Sequence, residues 1–277
     1  MSTDHKSFLK WAGGKIKLLP KLRELGIERG NRYIEPFVGS GVVALNMPHK
    51  EIIIADTNDG LIALWNVLQS NPNANVHLKQ YFFQEYNNIE NYYKLRTKFN
   101  RALKSGDEDV ISKLFLYLNK HCFNGLCRFN SSGEYNVPFN HRKTPPAFPE
   151  REVLHAIEAS KRMSILKQGF MDTMKMVKRG DMVYMDPPYI PVSKSSSFTT
   201  YSKDGFSIDD HKNILLQAEC AAGRGATVII SNNDVPLSRM LYNAADELHL
   251  IDVQKNISCK GDGRKKQGEV MAVYRPR

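Results

Sequence analysis

The segment Asp186-Pro187-Pro188-Tyr189 holds the residue types that most directly predict chemistry. It follows the apolar run 181–185, which is typical of a buried strand. Two consecutive prolines fix φ and carry no N–H donor, so they predict a stiff loop whose carbonyls can accept hydrogen bonds. The sequence therefore predicts an aspartate and an aromatic ring at the carboxyl end of a strand, where doubly wound α/β folds bind ligands.

This combination suits a reaction at an amine attached to a planar ring. Such an amine is a poor nucleophile, because its lone pair is delocalised into the ring. The Asp186 carboxylate and the Pro187 carbonyl would accept hydrogen bonds from its two N–H bonds and favour the pyramidal nitrogen of the transition state. Tyr189 would stack on the ring itself.

A second motif, Glu35–Gly41 (EPFVGSG), predicts a turn that brings the backbone close to a ligand. Gly39 and Gly41 tolerate the conformations of such a turn, and we expect a helix to begin over residues 41–46. The third spaced glycine of dinucleotide-binding turns is absent, which argues against NAD. Asp56 ends a β-branched run about twenty residues further on, and it would either bind ribose hydroxyls or cap the next turn.

A third segment, Phe8–Lys15 (FLKWAGGK), lies close to the N-terminus. Trp11 would offer an apolar wall and Lys15 a cation to a carboxylate-bearing ligand. Without the two motifs above, this segment would not by itself indicate a ligand.

The rest of the chain predicts an α/β fold whose sheet is split in sequence by an insert. Apolar runs predict strands at residues 32–37, 51–56, 181–185, 226–230 and 269–274. Helical spacing predicts helices at 61–68, 92–99 and 111–119, and a hairpin joins 127–130 to 135–139. Ser207 and the acidic residues after it predict the start of another helix. We therefore divide the chain into residues 1–57, 58–150 and 151–277, of which the second is the insert.

The charge of the chain favours a polyanionic partner. Lysine and arginine number 39 against 29 aspartate and glutamate residues, which gives a net charge of +10. A protein this basic often binds nucleic acid, although the same charge would also serve solubility alone. The segment Ser258–Gly268 is predicted to be a flexible cationic loop that either contacts phosphates or is merely solvated.

Other features bear on the compartment. No segment approaches the roughly 18 to 20 apolar residues of a membrane span, and the polar N-terminus lacks the apolar stretch of a secretion signal. Cys122, Cys127, Cys220 and Cys259 have no metal-ligand spacing and are expected to be reduced thiols. We expect a cytoplasmic protein that is monomeric in solution, with no metal and no membrane partner.

Together, these motifs resemble the Dam family of adenine-N6 DNA methyltransferases, which methylate the adenine of GATC. The resemblance runs nearly end to end, and its most specific part is NGLCRFN at 124–130 followed by GEYNVPF at 133–139. It implies a Rossmann-like, S-adenosylmethionine-dependent methyltransferase sheet, with an inserted, mostly helical DNA-recognition subdomain that carries the hairpin. It also implies a cytoplasmic enzyme of a bacterium, or of a phage acting in its host.

The resemblance further implies roles for individual residues. Catalysis would fall to Asp186, Pro187, Pro188 and Tyr189. S-adenosylmethionine, with S-adenosylhomocysteine as product, would contact Trp11, Lys15, Phe37, Gly39, Gly41, Asp56, Phe170 and Asp186. Double-stranded DNA would contact Lys10, Phe123, Asn124, Leu126, Arg128, Pro138 and Arg142. These residue types agree with the roles, since arginine reads a guanine edge with two hydrogen bonds and an inserted aromatic ring fills the space of a flipped base.

Two positions depart from the family's pattern, and one further segment resembles a lid. Phe123 stands where the best-known family member has tyrosine, which keeps the ring and removes the hydroxyl. Arg142 replaces an aromatic residue of the recognition hairpin, which leaves the preference for flanking bases open. The segment Ile190–Gly205, with Phe198 and Tyr201, resembles a lid over the flipped base.

Competing functions differ at identifiable residues. An N4-cytosine methyltransferase shares the amine chemistry but usually has serine in the place of Asp186. RNA and protein-glutamine methyltransferases usually have asparagine there. A C5-cytosine enzyme typically needs a cysteine after proline, which this sequence lacks. A basic DNA-binding protein without catalysis would be expected to have lost Asp186 or the glycine turn.

Overall fold

The computed structural model describes residues 4–191, 206–253 and 267–277. Most of the expected lid and of the expected basic loop lies outside these residues, as do Phe198, Tyr201 and Cys259. Statements about the structure therefore concern the described ranges.

Strands and helices alternate along the chain, which confirms the predicted α/β fold. The strands are β1 Tyr33–Glu35, β2 Ile52–Asp56, β3 Met163–Lys167, β4 Met182–Met185, β5 Thr227–Asn233, β6 Glu247–Val253 and β7 Gln267–Tyr274. The α-helices are α1 Leu19–Glu24, α2 Asp59–Ser70, α3 Ala74–Lys79, α4 Ile89–Ser105, α5 Glu108–His121, α6 Glu150–Ser160, α7 Phe170–Lys175, α8 Ile208–Gly223 and α9 Pro236–Leu241.

The chain forms two compact units. The first consists of Met1–Leu22 and Val38–Gln168, and the second of Arg23–Phe37 and Gly169–Arg277. Each unit is therefore built from two separate stretches of sequence. The division into residues 1–57, 58–150 and 151–277 stays a prediction.

In the first unit, β2 and β3 are parallel, paired from Ile52 with Met163 to Asp56 with Lys167. The first four residues of β2 are buried, as expected of a β-branched strand covered on both faces. The predicted helical segments are confirmed within α2, α4 and α5. Each of these helices is capped at its N-terminus by a side chain that accepts a hydrogen bond from a backbone N–H of the first turn. The capping residues are Asn58, Asn88 and Asp107 respectively.

The predicted hairpin is also confirmed in the first unit. Phe129 and Tyr135 form an antiparallel bridge, and the Asn136 N–H donates to the Arg128 carbonyl at 3.1 Å. The side chain of Asn100 in α4 accepts from the Tyr135 N–H at 2.9 Å and donates to its carbonyl at 3.1 Å. The Asn100 side chain therefore makes the two backbone hydrogen bonds that a neighbouring strand would otherwise make, and it holds the hairpin against α4.

In the second unit, the described strands lie in the order β1-β4-β5-β7-β6. β4 is parallel to both β1 and β5, whereas β7 is antiparallel to β5 and to β6. The strands predicted at 181–185, 226–230 and 269–274 are confirmed as β4, β5 and β7. The predicted start of α8 is confirmed as well, because Ser207 and Asp210 exchange side-chain and backbone hydrogen bonds in a capping box.

The helix predicted over residues 41–46 is wrong. Only a single turn of 3₁₀ helix forms there, at Ala44–Asn46. Met47 is extended, with φ −83° and ψ 137°, because Pro48 disfavours helical backbone at the residue before it. The Asn46 side chain closes the turn by donating to the Val42 carbonyl at 2.7 Å.

Two expected features can be compared with the described ranges. No helix within them combines the length and the apolar composition that crossing a bilayer requires. Their histidine, cysteine and acidic side chains form no group of three or more that could hold a metal ion. Cys122, Cys127 and Cys220 are free thiols.

An ion pair at the start of β4 ties this strand to the residue before β1. The Arg32 guanidinium donates to both carboxylate oxygens of Asp181, from Nε at 3.0 Å and from Nη2 at 2.7 Å. The Lys178 N–H also donates to Asp181, at 2.7 Å. The Asp181 side chain is 2% exposed and that of Arg32 is 15% exposed. A two-pronged, largely buried pair of this kind fixes geometry as well as charge.

We predict that Asp181→Ala lowers the free energy of unfolding by about 3–5 kcal/mol, because it removes the partner of a largely buried guanidinium. Urea denaturation followed by circular dichroism measures the change. Asp172→Ala is the matched control, since the Asp172–Lys175 pair is solvent-exposed on both sides and contributes little. Equal losses in the two variants would contradict the structural role of Asp181.

Candidate functional site

The loop Asp186–Tyr189 directly follows β4, whose four residues are all buried. Pro187 is buried and Pro188 is exposed, while Asp186 and Tyr189 are each partly exposed. The loop therefore presents a carboxylate and a phenol ring at the carboxyl end of a parallel strand, as the sequence predicts.

The end of β5 holds Asp186 in place. β4 and β5 pair in parallel register up to Met185 with Ile230, so Asp186 and Ser231 come next along the two strands. The Ser231 hydroxyl donates to Asp186 Oδ1 at 2.9 Å and lies 2.9 Å from the Tyr184 hydroxyl. Ser231 and Tyr184 are both fully buried.

Tyr189 is anchored at its hydroxyl. This group donates to Oε2 of Glu269, a buried residue of β7, at 3.0 Å. Burial raises the pKa of Tyr189 well above its usual range, the charge of Asp186 adds to the rise, and a hydrogen-bonding interaction with Ser231 opposes it. The phenol therefore stays neutral and keeps its proton for the bond to Glu269.

The backbone that leaves the loop is held by two asparagines at the end of β5. Asn232 Oδ1 accepts from the Ile190 N–H at 2.9 Å, and Asn233 Nδ2 donates to the Ile190 carbonyl at 2.7 Å. Ser231, Asn232 and Asn233 were not predicted from the sequence. Their signal is three polar residues directly after the apolar run 226–230, at the carboxyl end of a predicted strand.

Aromatic rings of the second unit form a separate group. Phe37 and Phe170, both predicted to contact the cofactor, stack with their centroids 5.3 Å apart. Phe206 meets Phe37 edge-on at 5.9 Å and His211 at 5.0 Å. Burial lowers the pKa of His211 to about 4, so its imidazole is neutral near pH 7. Phe206 and His211 carry no sequence motif and were not predicted.

A small cavity adjoins the loop Asp186–Tyr189 within the second unit. Tyr189, Phe206 and His211 are among the residues that line it. Its walls are predominantly apolar, with Pro188 and Ile190 completing the side next to the loop.

In the first unit, the glycine turn needs both of its glycines. Gly39 and Gly41 have φ of +47° and +68°, in the left-handed region that L side chains rarely adopt. A Cβ on Gly39 would lie 2.7 Å from Trp11 Nε1, and one on Gly41 would lie 2.4 Å from a ring carbon of Trp65. The turn therefore packs directly against Trp11, which the sequence assigns to the same ligand.

Asp56 is bonded to this turn. The Gly39 N–H donates to Asp56 Oδ2 at 3.2 Å, and the Asn58 N–H donates to Oδ1 at 3.0 Å. Burial raises the pKa of Asp56, and the backbone hydrogen bonds oppose the rise. Asp56 therefore caps the local turn, and it also presents a carboxylate beside the glycines, where it could bind ribose hydroxyls. The geometry is compatible with both of the roles predicted from the sequence.

Lys15 differs from the other predicted cofactor residues. It is buried, and its ammonium donates to the Gly13 carbonyl at 2.6 Å, within its own segment. The first unit thus brings Trp11, Gly39 and Asp56 together, while Lys15 closes the turn that follows Trp11.

The hairpin base presents the residues predicted to meet DNA. Phe123 is 44% exposed, and its N–H donates to the Pro138 carbonyl at 2.8 Å. Asn124 is exposed and has a left-handed φ of 54°. Arg128 is exposed, and its Nε donates to the Asn136 side chain at 2.7 Å. The remaining predicted positions are partly or fully exposed, namely Lys10, Leu126, Pro138 and Arg142.

Asn119, a buried residue of α5, connects Lys10 to the turn that contains Phe123 and Asn124. Its side chain accepts from the Lys10 N–H at 2.9 Å and donates to the Lys10 carbonyl at 2.8 Å and to the Gly125 carbonyl at 3.4 Å. A Cβ on Gly125 would lie 2.4 Å from that of Lys10. The N-terminal segment and the turn at 123–125 therefore form one piece. In the sequence, the role of Asn119 is indicated only by its position as a single amide near the end of a predicted helix.

Three cations near this piece affect one another. Burial, and then the charge of Lys10, lower the pKa of Lys120 to about 8, against an opposing effect of Glu152. The pKa of Lys10 is likewise lowered by burial and by Arg142. Cations close enough to repel one another attract an anion, which would relieve the repulsion.

Comparison with known proteins agrees with this geometry. Residues 11–257 match the family described as D12 class N6 adenine-specific DNA methyltransferase. The DNA adenine methylase of Escherichia coli (strain K12) is 39% identical over 273 residues, covering 98% of this chain and 96% of that protein. That of Serratia marcescens is also 39% identical, covering 98% and 99%. A solved structure titled a putative RNA methyltransferase, from Pyrococcus horikoshii, is similar over 98% of this chain and 89% of that chain, with 12% identity and a TM-score of 0.39. The chain belongs to the D12 class of N6 adenine-specific DNA methyltransferases.

Proposed function

We propose that this adenine-N6 DNA methyltransferase acts on the adenine of GATC in double-stranded DNA, with S-adenosylmethionine as methyl donor. The observation that carries the proposal is the Asp186–Tyr189 loop, a carboxylate and a phenol ring held at the end of β4 by hydrogen bonds to Ser231 and Glu269, two buried residues. The names of the relatives, DNA adenine methylase, support the choice of base. We further propose that the protein is cytoplasmic and monomeric.

Asp186 and Pro187 would act on the amino group of a flipped adenine. The carboxylate and the carbonyl would accept hydrogen bonds from its two N–H bonds and draw the nitrogen lone pair out of the ring. Tyr189, fixed at its hydroxyl, would present its ring for stacking on the base. As the nitrogen bonds to the methyl carbon, the bond from that carbon to the cofactor sulfur would break and leave S-adenosylhomocysteine, and the proton lost from nitrogen would pass to solvent.

The described residues fit an adenosyl cofactor. S-adenosylmethionine, when bound, supplies the methyl group as an electrophile attached to a positively charged sulfur. Phe37 and Phe170 provide stacked rings of the kind that cover a nucleobase. Asp56 accepts backbone hydrogen bonds from Gly39, Thr57 and Asn58, and its carboxylate, which has about four lone-pair sites, could also accept one from a ribose hydroxyl. Gly39 and Gly41 leave the backbone without side chains at this turn.

The hairpin would read the site. The bond from Arg128 Nε to Asn136 orients the guanidinium, and its two terminal amino groups suit the O6 and N7 acceptors of guanine. Phe123 and Asn124 would fill the space that the flipped adenine leaves. Lys10, Leu126, Pro138 and Arg142 would complete the DNA contacts.

The experiment that tests this function uses purified protein, tritiated S-adenosylmethionine and DNA duplexes carrying GATC or a one-base variant. We expect N6-methyladenine in GATC and much less label in the variants. DNA binding without methyl transfer would favour an inert DNA-binding protein. Label on cytosine N4 would favour the other exocyclic-amine methyltransferase.

Asp186→Ala is predicted to abolish methyl transfer while leaving DNA affinity nearly unchanged, because the carboxylate acts on the amine and not on the duplex. Single-turnover assays and fluorescence anisotropy separate the two quantities. Asp172→Ala, which removes an exposed carboxylate of the same unit, serves as the control. Transfer by Asp186→Ala at the parental rate would remove this residue from the mechanism.

Arg128→Ala is predicted to reduce discrimination against a one-base variant of GATC by about 1–3 kcal/mol, the usual value of a bidentate guanine contact. The ratio of kcat/KM values for the two duplexes measures it. Arg101→Ala, at an exposed arginine of α4, is the control. An unchanged ratio in Arg128→Ala would show that this arginine does not read the site.

DNA binding is predicted to depend on pH through Lys120. Its pKa of about 8 means that it is cationic below pH 8 and neutral above, so raising the pH removes one attraction for phosphates. Between pH 7 and pH 9 the slope of log K against log salt concentration should become shallower by up to about 0.9, the value of one phosphate contact. Lys120→Arg, which stays charged, should largely abolish this change. A slope that changes equally in both proteins would exclude Lys120 as its source.

A further inference from the structure

The carboxyl ends of β4 and β5 place a serine beside the proposed catalytic aspartate. Because the register pairs Met185 with Ile230, Asp186 and Ser231 occupy the next positions of the two strands. Ser231 Oγ is 2.9 Å from Asp186 Oδ1, and the serine is fully buried. The contact is therefore set by main-chain pairing, and its serine side is closed to water.

Proton counting gives this contact a direction. An ionised carboxylate only accepts hydrogen bonds, and a serine hydroxyl carries a single proton. The Ser231 proton must therefore lie on the bond to Asp186. The Tyr184 hydroxyl, 2.9 Å from Ser231 Oγ, must then be the donor in its own contact. The hydrogen bonds run from Tyr184 to Ser231 to Asp186.

The chain of hydrogen bonds ends at Tyr184. Burial raises the pKa of Tyr184 well above its usual range, with a further rise from the charge of Asp186. Tyr184 is fully buried and keeps its proton, so the chain ends there and carries no proton onward. Its effect is on the orientation of the carboxylate.

Orientation matters because Asp186 is partly exposed and an aspartate side chain turns easily about its χ2 torsion. A donor fixed to Oδ1 restricts that torsion. Fixing the loop before the base arrives removes a reorganisation cost from the reaction.

We propose that Ser231 is a positioning residue for methyl transfer, which orients the Asp186 carboxylate toward the target amine and is itself held by Tyr184. The inference rests on the proposed function, in which Asp186 accepts a hydrogen bond from that amine. To that function the inference adds the residue that keeps the Asp186 carboxylate in one orientation.

The test compares Ser231→Ala with Ser238→Ala in single-turnover methylation of a GATC duplex. Ser238 is another fully buried serine of the same unit, and its hydroxyl bonds to backbone groups at Asn233 and Val235. Ser231→Ala is expected to lower the rate by about 10- to 100-fold, as for a misplaced reacting group. The Kd values for S-adenosylmethionine and DNA should stay within about threefold, since the chain acts on orientation and not on ligand contacts. Ser238→Ala should keep the parental rate.

Two further variants separate positioning from general loss of structure. Ser231→Cys keeps a weak donor of similar size and is expected to transfer at an intermediate rate. Tyr184→Phe removes the donor behind Ser231 and should slow transfer in the parental protein. It should add no further loss to Ser231→Ala, because residues that act through one contact are not additive.

The outcomes are distinguishable. A Ser231→Ala rate equal to the parental rate, or a fall matched by equal weakening of ligand binding, would overturn the positioning role. Additive losses in the double variant with Tyr184→Phe would overturn the chain. If the parental protein itself transfers no methyl group to DNA, the proposed function fails and not this inference alone.

Discussion

The register of β4 against β5 is the constraint on which the geometry of the loop Asp186–Tyr189 depends. Parallel pairing from Met182 with Thr227 to Met185 with Ile230 brings Asp186 beside Ser231. A slip of one residue would turn every following side chain to the opposite face of the sheet. Antiparallel pairing of β5 with β7, which matches Asn233 with Glu269, similarly supplies the acceptor for the Tyr189 hydroxyl. Main-chain hydrogen bonds thus set the geometry of side-chain chemistry.

Burying so many polar groups around one loop is stable only because the groups satisfy one another. A buried polar group left unpaired costs about 1–3 kcal/mol. Asn232 uses both ends of its amide, accepting from the Ile190 N–H and donating to the Tyr242 hydroxyl. Removing one member therefore leaves its neighbour without a hydrogen-bond partner. Such a network loses its fixed geometry when one member is removed, even where the sheet survives.

Local patterns in the sequence predicted the elements that are buried, and failed where long-range pairing decides. Residues 181–185 and 226–230 predicted β4 and β5, because buried parallel strands are continuously apolar. β3 and β6 escaped prediction, since their residues are largely half-buried or exposed and lack a continuous apolar run. The helix after Gly41 failed because Pro48 outweighed the spacing of apolar residues before it.

The residues of the candidate site differ in the same way in how well the sequence predicts them. Motif residues such as Asp186 and Gly39 were identifiable because their types are unusual for a strand end or a turn. Supporting residues such as Ser231 and Asn119 were not, because their function depends on partners that lie 45 and 109 residues away. Asn119 joins the backbone of Lys10 to the Gly125 carbonyl, so these two segments, which are remote in sequence, are held together by one buried side chain. If the proposed roles hold, specificity and catalysis in this chain both depend on buried side chains, Asn119 and Ser231, that position the contacting residues.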